Sequence, residues 1–565
     1  MRGVDYFQQQ LGDAIERGHI AEAESTLALL REEYKANPTA FTPGLIESLR
    51  RFGQQIRLKR AMKDLFGYDS YRPGQQETIQ AVLSGRDALA IMPTGSGKSL
   101  LYQLSAHLLG GTTLVVSPLI SLQKDQVDAL NEGGLKATFL NSSLDFETRR
   151  QRIGALYRGE FELVYAAPEG LEQSLGSLME NLDLRLIAVD EAHCISHWGH
   201  DFRPSYRNLA HLKERLGKIP VLGLTATATP YVAHDIVEQL GMFNPFIYRG
   251  SSFRPNLHIH SIKKGGALKV RDAILRIVTT RRNQSGIIYC LSKKTVDSTT
   301  EFLKSNDIRA ECYHAGMTSA DRAAAQEAFR RDDIDVIVAT IAFGMGIDKS
   351  NVRYIIHRDM PKSIEGYSQE IGRAGRDGEP SDCVLFYSWA DVLALEHFTD
   401  GLEAALASAQ KEQIRRMYRF ADSRSCRHQE LARHFSEEIQ PCESSCDFCS
   451  GRDVLSETVK TAAQQQPRTV KKGPVPTVDS RQPKETEDLL NKLKALRKRI
   501  ADQNGIPAYV VFNDVTLKAM ARYKPQTAEH MLSLPGVGLK KLEKYGQMFL
   551  DVLKDSPFDC NLVSL

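Results

Sequence analysis

Short apolar segments separated by longer helix-like stretches recur along most of this chain, and they constrain its fold more than any other feature. Between about residues 85 and 240 the segments are DALAIM, TTLVVS, FELVYAA, LRLIAVD and VLGLTA. They do not alternate strictly between apolar and polar residues, which is typical of strands buried on both faces of a parallel sheet. The pattern restarts after Phe253 with GIIYCL, IRAECYH, DVIVATI, RYIIHRD and DCVLFYS. The sequence therefore predicts two consecutive α/β units, joined near residues 245–265.

The flanking regions have different compositions and predict further domains. At roughly 150 residues per domain, 565 residues predict three or four of them. The amphipathic pattern of the first 60 residues and of the C-terminal segment favours helices, whereas QQQPRTVKKGPVPT has the composition of a linker. The predicted organisation begins with an N-terminal helical extension (1–60) and two α/β units (61–245 and 246–390). A helical cysteine-containing module (391–450), a linker (451–483), an all-α domain (484–556) and a tail (557–565) follow.

Charge and hydropathy exclude some classes of protein without naming a partner. Lys and Arg number 73 against 70 Asp and Glu, a net charge of +3. Residues 451–565 hold 19 basic and 13 acidic side chains, however, and this excess could face phosphates or only solvent. No stretch approaches the 18 apolar residues of a membrane-spanning helix, and the N-terminus lacks the apolar core of a signal peptide. We therefore expect an intracellular protein.

The segment MPTGSGKS, between a predicted strand and a predicted helix, has the properties of a phosphate-binding loop. Gly95 and Gly97 allow backbone N–H groups to turn towards a phosphate at a helix N-terminus. Lys98 is expected to reach the β- and γ-phosphates, and the Ser99 hydroxyl to ligate Mg²⁺. Met92 departs from the usual small residue at the start of such loops. The alternative is a structural glycine turn followed by a surface lysine.

About ninety residues later, in LRLIAVDEAH, a buried strand ends with two acidic residues, Asp190 and Glu191. A carboxylate at the position of Asp190 can hold Mg²⁺, and Glu191 can orient and deprotonate an attacking water. His193 is placed to couple this pair to another region. Acidic pairs at strand ends are often only solvated loops, but together with the phosphate-binding loop they predict nucleotide hydrolysis.

Four of the nine cysteines fall within 24 residues, at Cys426, Cys442, Cys446 and Cys449. Four thiolates with one Cys-x2-Cys pair suit tetrahedral Zn²⁺ in a closed, structural site. Disulfides are the alternative, disfavoured for an intracellular chain. We expect His428 and His434, which lie nearby, to be surface or packing residues.

These motifs resemble those of superfamily-two helicases, and specifically the RecQ family of DNA helicases. The resemblance implies two tandem RecA-like motor domains, followed by a helical zinc-binding module and a small HRDC-like helical domain. FGYDSYRPGQQETI is similar to the opening motif of the family, in which Gln75 would read adenine between Tyr68 and Arg72. In the family's form of the phosphate loop, Met92 is expected, and Thr94 and Ser96 would join the glycines in binding nucleotide. DEAH and LTATAT match the next two motifs, of which the second links hydrolysis to domain movement.

HCISHWGHDFRPSY, at 193–206, is similar to the aromatic-rich loop of the RecQ family. Its aromatic side chains offer flat faces for unpaired bases, and stacking contributes about 1–3 kcal/mol per base whatever the sequence. A pair of buried aromatics is the alternative, but the surrounding loop is too polar for a core. The candidate DNA-binding residues in this loop are His197, Trp198, His200, Phe202 and Arg203.

In the second α/β unit, YHAGM and ATIAFGMGIDK resemble the family's phosphate-backbone and coupling motifs, which adds His314 and Thr340 to the candidate DNA-binding residues. QEIGRAGRDG resembles the arginine-finger motif. Gln369 would contact the nucleotide, while Arg373 and Arg376, three residues apart and on one face if helical, would approach the γ-phosphate across the cleft.

RecQ proteins commonly carry a winged-helix domain after the zinc module, but here only about 35 residues separate Cys449 from the C-terminal helical domain. This is below the ~50 residues that an independent domain needs, so the winged helix is predicted to be absent.

The C-terminal domain resembles the HRDC domain. We expect an auxiliary nucleic-acid contact through LPGVGLKKLEKYG and the basic residues of its first helix; a solvated basic face is the alternative. Those basic residues are Lys492, Lys494, Arg497, Lys498 and Arg499.

The resemblance implies an ATP-, Mg²⁺- and Zn²⁺-dependent 3′→5′ DNA helicase that acts on single-stranded and on tailed or forked duplex DNA. Alternatives are a DNA-stimulated translocase or strand-annealing factor that unwinds weakly, an RNA helicase, and a non-catalytic binding protein. Roles in repair, recombination and replication, contacts with single-strand-binding or repair proteins and a bacterial, nucleoid-associated cytoplasmic location are further expectations.

Overall fold

The computed structural model describes most residues of the chain. They are 9–14, 17, 19–118, 120–171, 181–196, 203–207, 209, 213–214, 216–217, 219–266, 268–343, 349–456 and 482–554. Among the helices within these ranges, none combines the length and the apolar character needed to cross a membrane.

Two N-terminal helices, α1 (Ile20–Ala36) and α2 (Pro43–Phe66), precede the first sheet. Their facing apolar side chains form a small core of their own. Leu58 and Met62, however, belong to the core of the first sheet. The extension predicted to end at residue 60 therefore has no boundary there, because the C-terminal end of α2 packs on the first α/β unit.

The first α/β unit is a seven-stranded parallel sheet in the order β3-β4-β2-β5-β6-β1-β7. The strands are β1 (Ala88–Ile91), β2 (Thr112–Val116), β3 (Ala137–Leu140), β4 (Leu163–Ala166), β5 (Leu184–Val189), β6 (Val221–Thr225) and β7 (Phe246–Arg249). The helices are α3 (Gln75–Leu83), α4 (Lys98–Leu109), α5 (Ile120–Gly133), α6 (Phe146–Tyr157), α7 (Pro168–Gly170) and α8 (Pro230–Gln239). Because β7 pairs with β1, the predicted boundary at residue 246 falls one strand too early.

The second α/β unit is a six-stranded parallel sheet in the order β10-β11-β9-β12-β13-β8. Its strands are β8 (Leu257–Lys263), β9 (Ser285–Tyr289), β10 (Ala310–Tyr313), β11 (Val336–Ala339), β12 (Val352–His357) and β13 (Ser381–Tyr387). Its helices are α9 (Val270–Thr279), α10 (Lys293–Lys304), α11 (Ser319–Arg330) and α12 (Ile364–Ile371). Residues 250–256 connect β7 of the first sheet directly to β8 of the second.

Two helical regions follow the second sheet. The cysteine module (389–450) contains α13 (Trp389–His397), α14 (Ala404–Asp422), α15 (Arg427–His434) and α16 (Asp447–Ser450). The C-terminal domain (482–554) contains α17 (Gln482–Asn504), α18 (Ala508–Val511), α19 (Asp514–Tyr523), α20 (Ala528–Leu532), α21 (Leu539–Lys541) and α22 (Gln547–Lys554). The predicted fold class is confirmed. Most of the predicted linker, and the tail from residue 555, lie outside the described residues.

Candidate active site between the two α/β units

The phosphate-binding loop lies between β1 and α4, at the carboxyl edge of the first sheet. Gly95 and Gly97 have φ angles of 82° and 84°, in the left-handed region that favours glycine. Lys98 opens the helix, and its Nζ donates a hydrogen bond to the carbonyl oxygen of Met92 at 3.0 Å. Met92 is 2% exposed and belongs to the core beneath the sheet, which explains an apolar residue at this position.

The opening motif contacts the phosphate-binding loop from the side of α3. Gln75 is buried; its Nε2 donates to the carbonyl oxygens of Ser96 and Gly97 at 3.1 and 3.2 Å, and its Oε1 accepts from the Arg72 backbone N–H at 2.9 Å. The Arg72 guanidinium donates to the Gly95 carbonyl. These contacts show how Gln75 and Arg72 shape the loop, while their contact with adenine, and that of the exposed Tyr68, stays a prediction.

The acidic pair follows β5 directly and faces the loop lysine. Burial raises the pKa of Asp190 to about 7; the negative charge of Glu191 acts in the same direction, and Lys98 opposes it. Burial in turn lowers the pKa of Lys98, although both carboxylates raise it. Glu191 has a φ of 48°, and its backbone N–H donates to Asp190 Oδ1 at 3.0 Å. A hard cation prefers carboxylate and hydroxyl oxygens, so Asp190 and Ser99 have suitable donors for Mg²⁺.

A chain of side chains joins the acidic pair to the Thr-Ala-Thr motif. The Nδ1 atom of buried His193 lies 3.4 Å from Glu191 Oε2 and 3.0 Å from Thr225 Oγ1. Thr225 Oγ1 accepts a hydrogen bond from the Thr227 backbone N–H at 3.2 Å. The predicted coupling residue therefore touches both motifs.

The two candidate arginine fingers lie in turns that follow α12, which ends at Ile371, so the condition that they share a helical face is not met. Arg376 lies against the phosphate-binding loop: a Cβ added to Gly95 would be 3.3 Å from its Cα and Cγ. Arg373 is buried and neighbours Tyr289 inside the second unit. The two arginines thus have different surroundings. Gln369 lies on α12, and its role in nucleotide binding stays a prediction.

Of the candidate DNA-binding residues, only Arg203, His314 and Thr340 are among the described residues; His197, Trp198, His200 and Phe202 lie outside them. The Arg203 backbone N–H donates to the carbonyl oxygen of Cys194 at 2.8 Å, which ties this segment to the residue after His193.

His314 and Thr340 directly follow the neighbouring strands β10 and β11, which brings them together at one edge of the second sheet. His314 Nε2 lies 2.9 Å from Asp297 Oδ1, and its Nδ1 accepts a hydrogen bond from the Gly316 N–H at 3.1 Å. Both ring nitrogens of His314 therefore have partners within the protein.

The four clustered cysteines meet in the cysteine module, and their sulfur atoms all lie within 4.8 Å of one another. Burial raises the pKa of Cys442 to about 11, so a positive ion is needed to hold its thiolate at neutral pH. This thiolate donor set fits Zn²⁺.

Both nearby histidines pack elsewhere, as predicted. His428 Nε2 contacts the carbonyl oxygens of Leu257 and Ser445 at 3.0 and 3.1 Å. His434 Nε2 lies 2.7 Å from Glu365 Oε1.

The predicted nucleic-acid face of the C-terminal domain is partly occupied. Arg497 is buried and donates to Asp514 Oδ1 at 2.7 Å, so it stabilises the domain internally, and including it in an exposed basic face was wrong. Lys498 pairs with Asp333 of the second unit at 2.9 Å. The Gly536 N–H, in the LPGVGLKKLEKYG segment, donates to the Gly67 carbonyl of the first unit at 3.3 Å.

Family models match four segments of the chain: a DEAD/DEAH box helicase domain at 72–236, a helicase conserved C-terminal domain at 269–378, a RecQ zinc-binding domain at 389–450 and an HRDC domain at 486–553. The ATP-dependent DNA helicase RecQ of Pasteurella multocida is 36% identical, over 88% of this chain and 94% of its own length. This chain belongs to the RecQ helicase family. The RecQ helicase of Bacillus subtilis is 35% identical, over 88% of this chain and 98% of its own.

Family membership accounts for the arrangement described above. The two α/β units are the RecQ motor domains, the cysteine module is the RecQ zinc-binding domain, and the C-terminal domain is an HRDC domain. The helicase domains make the protein an ATP-hydrolysing helicase. The main residue that sequence reasoning missed is Arg254, in the connection between the two sheets. Its only sequence signal is its place in FRPN, immediately before the first strand of the second unit.

Proposed function

We propose that this RecQ protein couples Mg²⁺-dependent ATP hydrolysis to 3′→5′ movement along one DNA strand and to separation of a duplex. The observation that carries the proposal is the meeting of two half-sites across the motor cleft. The phosphate-binding loop and the acidic pair come from the first unit, and Arg376 lies against that loop from the second.

Each charged group has a distinct role in hydrolysis. Lys98 binds the β- and γ-phosphates, and Glu191 orients and deprotonates the attacking water. Ser99 and Asp190 hold Mg²⁺, which neutralises charge on the phosphates. Arg376, assisted by Arg373, stabilises the charge that develops on the transferred phosphoryl group; arginine fingers of this kind give about 10³–10⁵-fold in other nucleotide hydrolases.

The chain from Glu191 through His193 to Thr225 supports coupling between hydrolysis and strand binding. Because the Arg203 N–H binds the carbonyl oxygen of Cys194, a shift of the 197–203 segment on DNA reaches the residue next to His193. Trp198 and Phe202 stack on unpaired bases, and His314 and Thr340 hold the strand on the second unit. Alternate opening and closing of the cleft then moves these two DNA-binding regions along the strand.

Strand separation in this protein proceeds without a winged helix between the cysteine module and the C-terminal domain. Only 32 residues lie between Cys449 and Gln482, and the alignment to the Pasteurella relative spans 601 positions, more than the 565 residues of this chain. That relative therefore contributes residues that have no counterpart here.

We further propose tailed and forked duplexes as substrates, single-strand-binding or repair proteins as partners, and a role in recombination and repair within the bacterial nucleoid.

The test is ATP-dependent unwinding of a 3′-tailed duplex, compared with a 5′-tailed duplex and an RNA duplex of the same sequence. Unwinding of the 3′-tailed DNA alone is expected. In Lys98→Ala the loss of a charge on the phosphates should lower DNA-stimulated ATP hydrolysis by at least about 100-fold. Lys136→Ala, which removes an exposed lysine of the same unit, is the matched control and should behave as the wild type. ATP hydrolysis stimulated by DNA without strand separation would instead indicate a translocase.

A further inference from the structure

Arg254 lies in the seven-residue connection between the two sheets, after β7 and before β8. Its guanidinium contacts both motor units. Nη1 donates to the Thr94 carbonyl oxygen in the phosphate-binding loop at 3.1 Å and to the Gly372 carbonyl oxygen, beyond α12, at 3.0 Å. Nη2 donates to the carbonyl oxygens of Ala374 and Gly375 at 3.0 and 2.5 Å. One side chain therefore joins the loop that binds phosphate to the turn that carries Arg373 and Arg376.

The hydrogen bonds that Arg254 already makes to the protein distinguish it from residues that bind nucleotide directly. An arginine has four N–H groups on its two terminal nitrogens, and here four hydrogen bonds to backbone carbonyls use them. Arg254 therefore holds protein to protein, and Arg376 is the candidate arginine finger that lies against the loop.

The turn is fitted closely to its surroundings. A Cβ on Gly372 would be 2.9 Å from the Thr94 Cβ, so the two units approach to backbone distance. Gly375 has a φ of 52°, and a Cβ there would be 2.5 Å from Asn256 Nδ2. That Nδ2 donates to the carbonyl oxygens of Gly375 and Glu379, both at 3.0 Å. The Arg254–Asn256 segment thus supports the arginine-bearing turn over most of its length.

The charges around Arg254 make this contact sensitive to what the cleft contains. Burial lowers the pKa of Arg254 to about 10, and the positive charges of Arg376 and Arg72 act in the same direction. Lys98 also experiences the charges of Arg376 and Arg254. Several cations therefore converge on one partly desolvated cleft. A triphosphate placed among them offsets their mutual repulsion and stabilises the closed arrangement.

We propose that Arg254 is a positioning residue that fastens the 372–376 turn to the phosphate-binding loop and so places Arg376 for hydrolysis. This proposal rests on the proposed function, because it assigns Arg254 a part in the same hydrolytic cycle. When the cleft opens, the bond to Thr94 breaks while the bonds within the second unit persist. Arg254 thereby makes arginine-finger placement depend on cleft closure.

The first experiment measures DNA-stimulated ATP hydrolysis and binding of a non-hydrolysable ATP analogue by Arg254→Ala and Arg254→Lys in the full-length protein. We expect kcat to fall on the order of 10²-fold, since a misplacement of about 1 Å has that effect, while the Kd of the analogue changes less than about threefold. Lysine should not rescue kcat, because a point charge does not reproduce a planar fork that binds four carbonyls.

The matched control is Arg281→Ala in the second unit. Arg281 is also an inward-facing arginine, which donates to Asp382 Oδ2 and to the Ile277 carbonyl oxygen, but it has no contact with the phosphate-binding loop. The Arg281→Ala substitution should lower the thermal stability of the protein while leaving kcat per folded molecule unchanged. If Arg254→Ala and Arg281→Ala lose stability and kcat to the same extent, Arg254 is merely structural and the proposal fails.

A double-mutant cycle with Arg376→Ala provides the second test. If Arg254 acts by placing Arg376, its removal in the Arg376→Ala background should change kcat less than twofold. Independent effects that multiply would overturn the proposal. The failure of the proposed function is distinguishable, because in that case the wild-type protein itself would show no DNA-stimulated hydrolysis.

Discussion

The cysteine module and the C-terminal domain both follow the motor, but they are attached to it in different ways. The cysteine module extends the second sheet: the Ile259 N–H of β8 donates to the Ser445 carbonyl at 3.1 Å, and the Ser261 N–H donates to Asp447 Oδ2 at 2.9 Å. Cys426, Cys442 and Cys446 belong to the same apolar core as the strands of that sheet. The module is therefore part of the folding unit of the second motor domain.

The C-terminal domain has an apolar core of its own, and three ion pairs join it to the motor. Lys498 pairs with Asp333 at 2.9 Å and Lys518 with Glu379 at 2.5 Å, both on the second unit, while Lys544 pairs with Glu132 on the first. Partly exposed ion pairs of this kind contribute about 0.2–1 kcal/mol each and weaken as the salt concentration rises. These pairs thus join the domain to both motor units with a small, salt-sensitive stabilisation.

The difference predicts that losing the metal damages the motor, whereas releasing the C-terminal domain does not. In Cys446→Ser we expect loss of Zn²⁺ and a fall in the free energy of unfolding of the second motor unit of more than about 4 kcal/mol, because both a structural metal and a shared core are lost. Zinc content and thermal unfolding measure this, with Cys312→Ser as the control outside the cluster. A variant that lost zinc but kept its unfolding temperature and ATP hydrolysis would show that the module is not part of the motor core.

Reversing the three docking lysines together should release the C-terminal domain while the motor stays folded. The variant Lys498→Glu, Lys518→Glu, Lys544→Glu replaces three attractions by repulsions, for a loss of docking free energy of about 1–3 kcal/mol at low salt. Energy transfer between dyes on the domain and on the first unit reports docking, and the wild type at high salt should resemble the variant. Lys492→Glu, at an exposed position of α17, should leave docking unchanged. A fall in motor stability like that of Cys446→Ser would mean that the two attachments are alike.

The last expected effect is a pH dependence of docking that arises from Lys541. Burial against the motor lowers the pKa of Lys541 to about 8, although Glu132 opposes the shift. The docked state therefore binds fewer protons than the released state, and docking should strengthen as the pH rises from about 8 towards 10.5. The same energy-transfer measurement between pH 7.5 and 9.5 tests this. Lys541→Met should dock without that pH dependence, and an unchanged pH profile in this variant would assign the effect to another group.

The strands that the sequence missed all lie at sheet edges, although the edge strand β10 was predicted. All ten apolar runs became strands, whereas the three missed strands, β3, β7 and β8, lie at sheet edges. β7 alternates between half-buried and exposed residues, and the sequence of β8, LHIHSIK, is only half apolar. A partly exposed strand does not need a continuous apolar run, so the pattern that identifies central strands is weak in β7 and β8, whereas β3 is fully buried and this reason does not apply to it.

Within the site, residues that carry chemistry in a local motif were identifiable, and those that act through distant contacts were not. Lys98, Asp190 and Glu191 have local signatures because a strand end and a helix N-terminus position them. The place of Arg254 in FRPN does not indicate its role, since its partners Thr94 and Gly372 are 160 and 118 residues away along the chain. The burial of Arg497 was likewise invisible, because a basic residue on an amphipathic helix is the same in sequence whether it faces solvent or an aspartate.

The sequence by itself determined the family, the two parallel sheets, the phosphate-binding loop, the acidic pair and the four-cysteine cluster, because each depends on residues close together in the chain or on a strand periodicity. Only the tertiary structure decided which arginine faces the phosphate-binding loop, how Arg254 joins the two motor units, and how each appended region is attached. Those outcomes depend on which surfaces meet across the cleft. The free energy of such contacts comes from burial and charge interactions between segments that are far apart in the sequence.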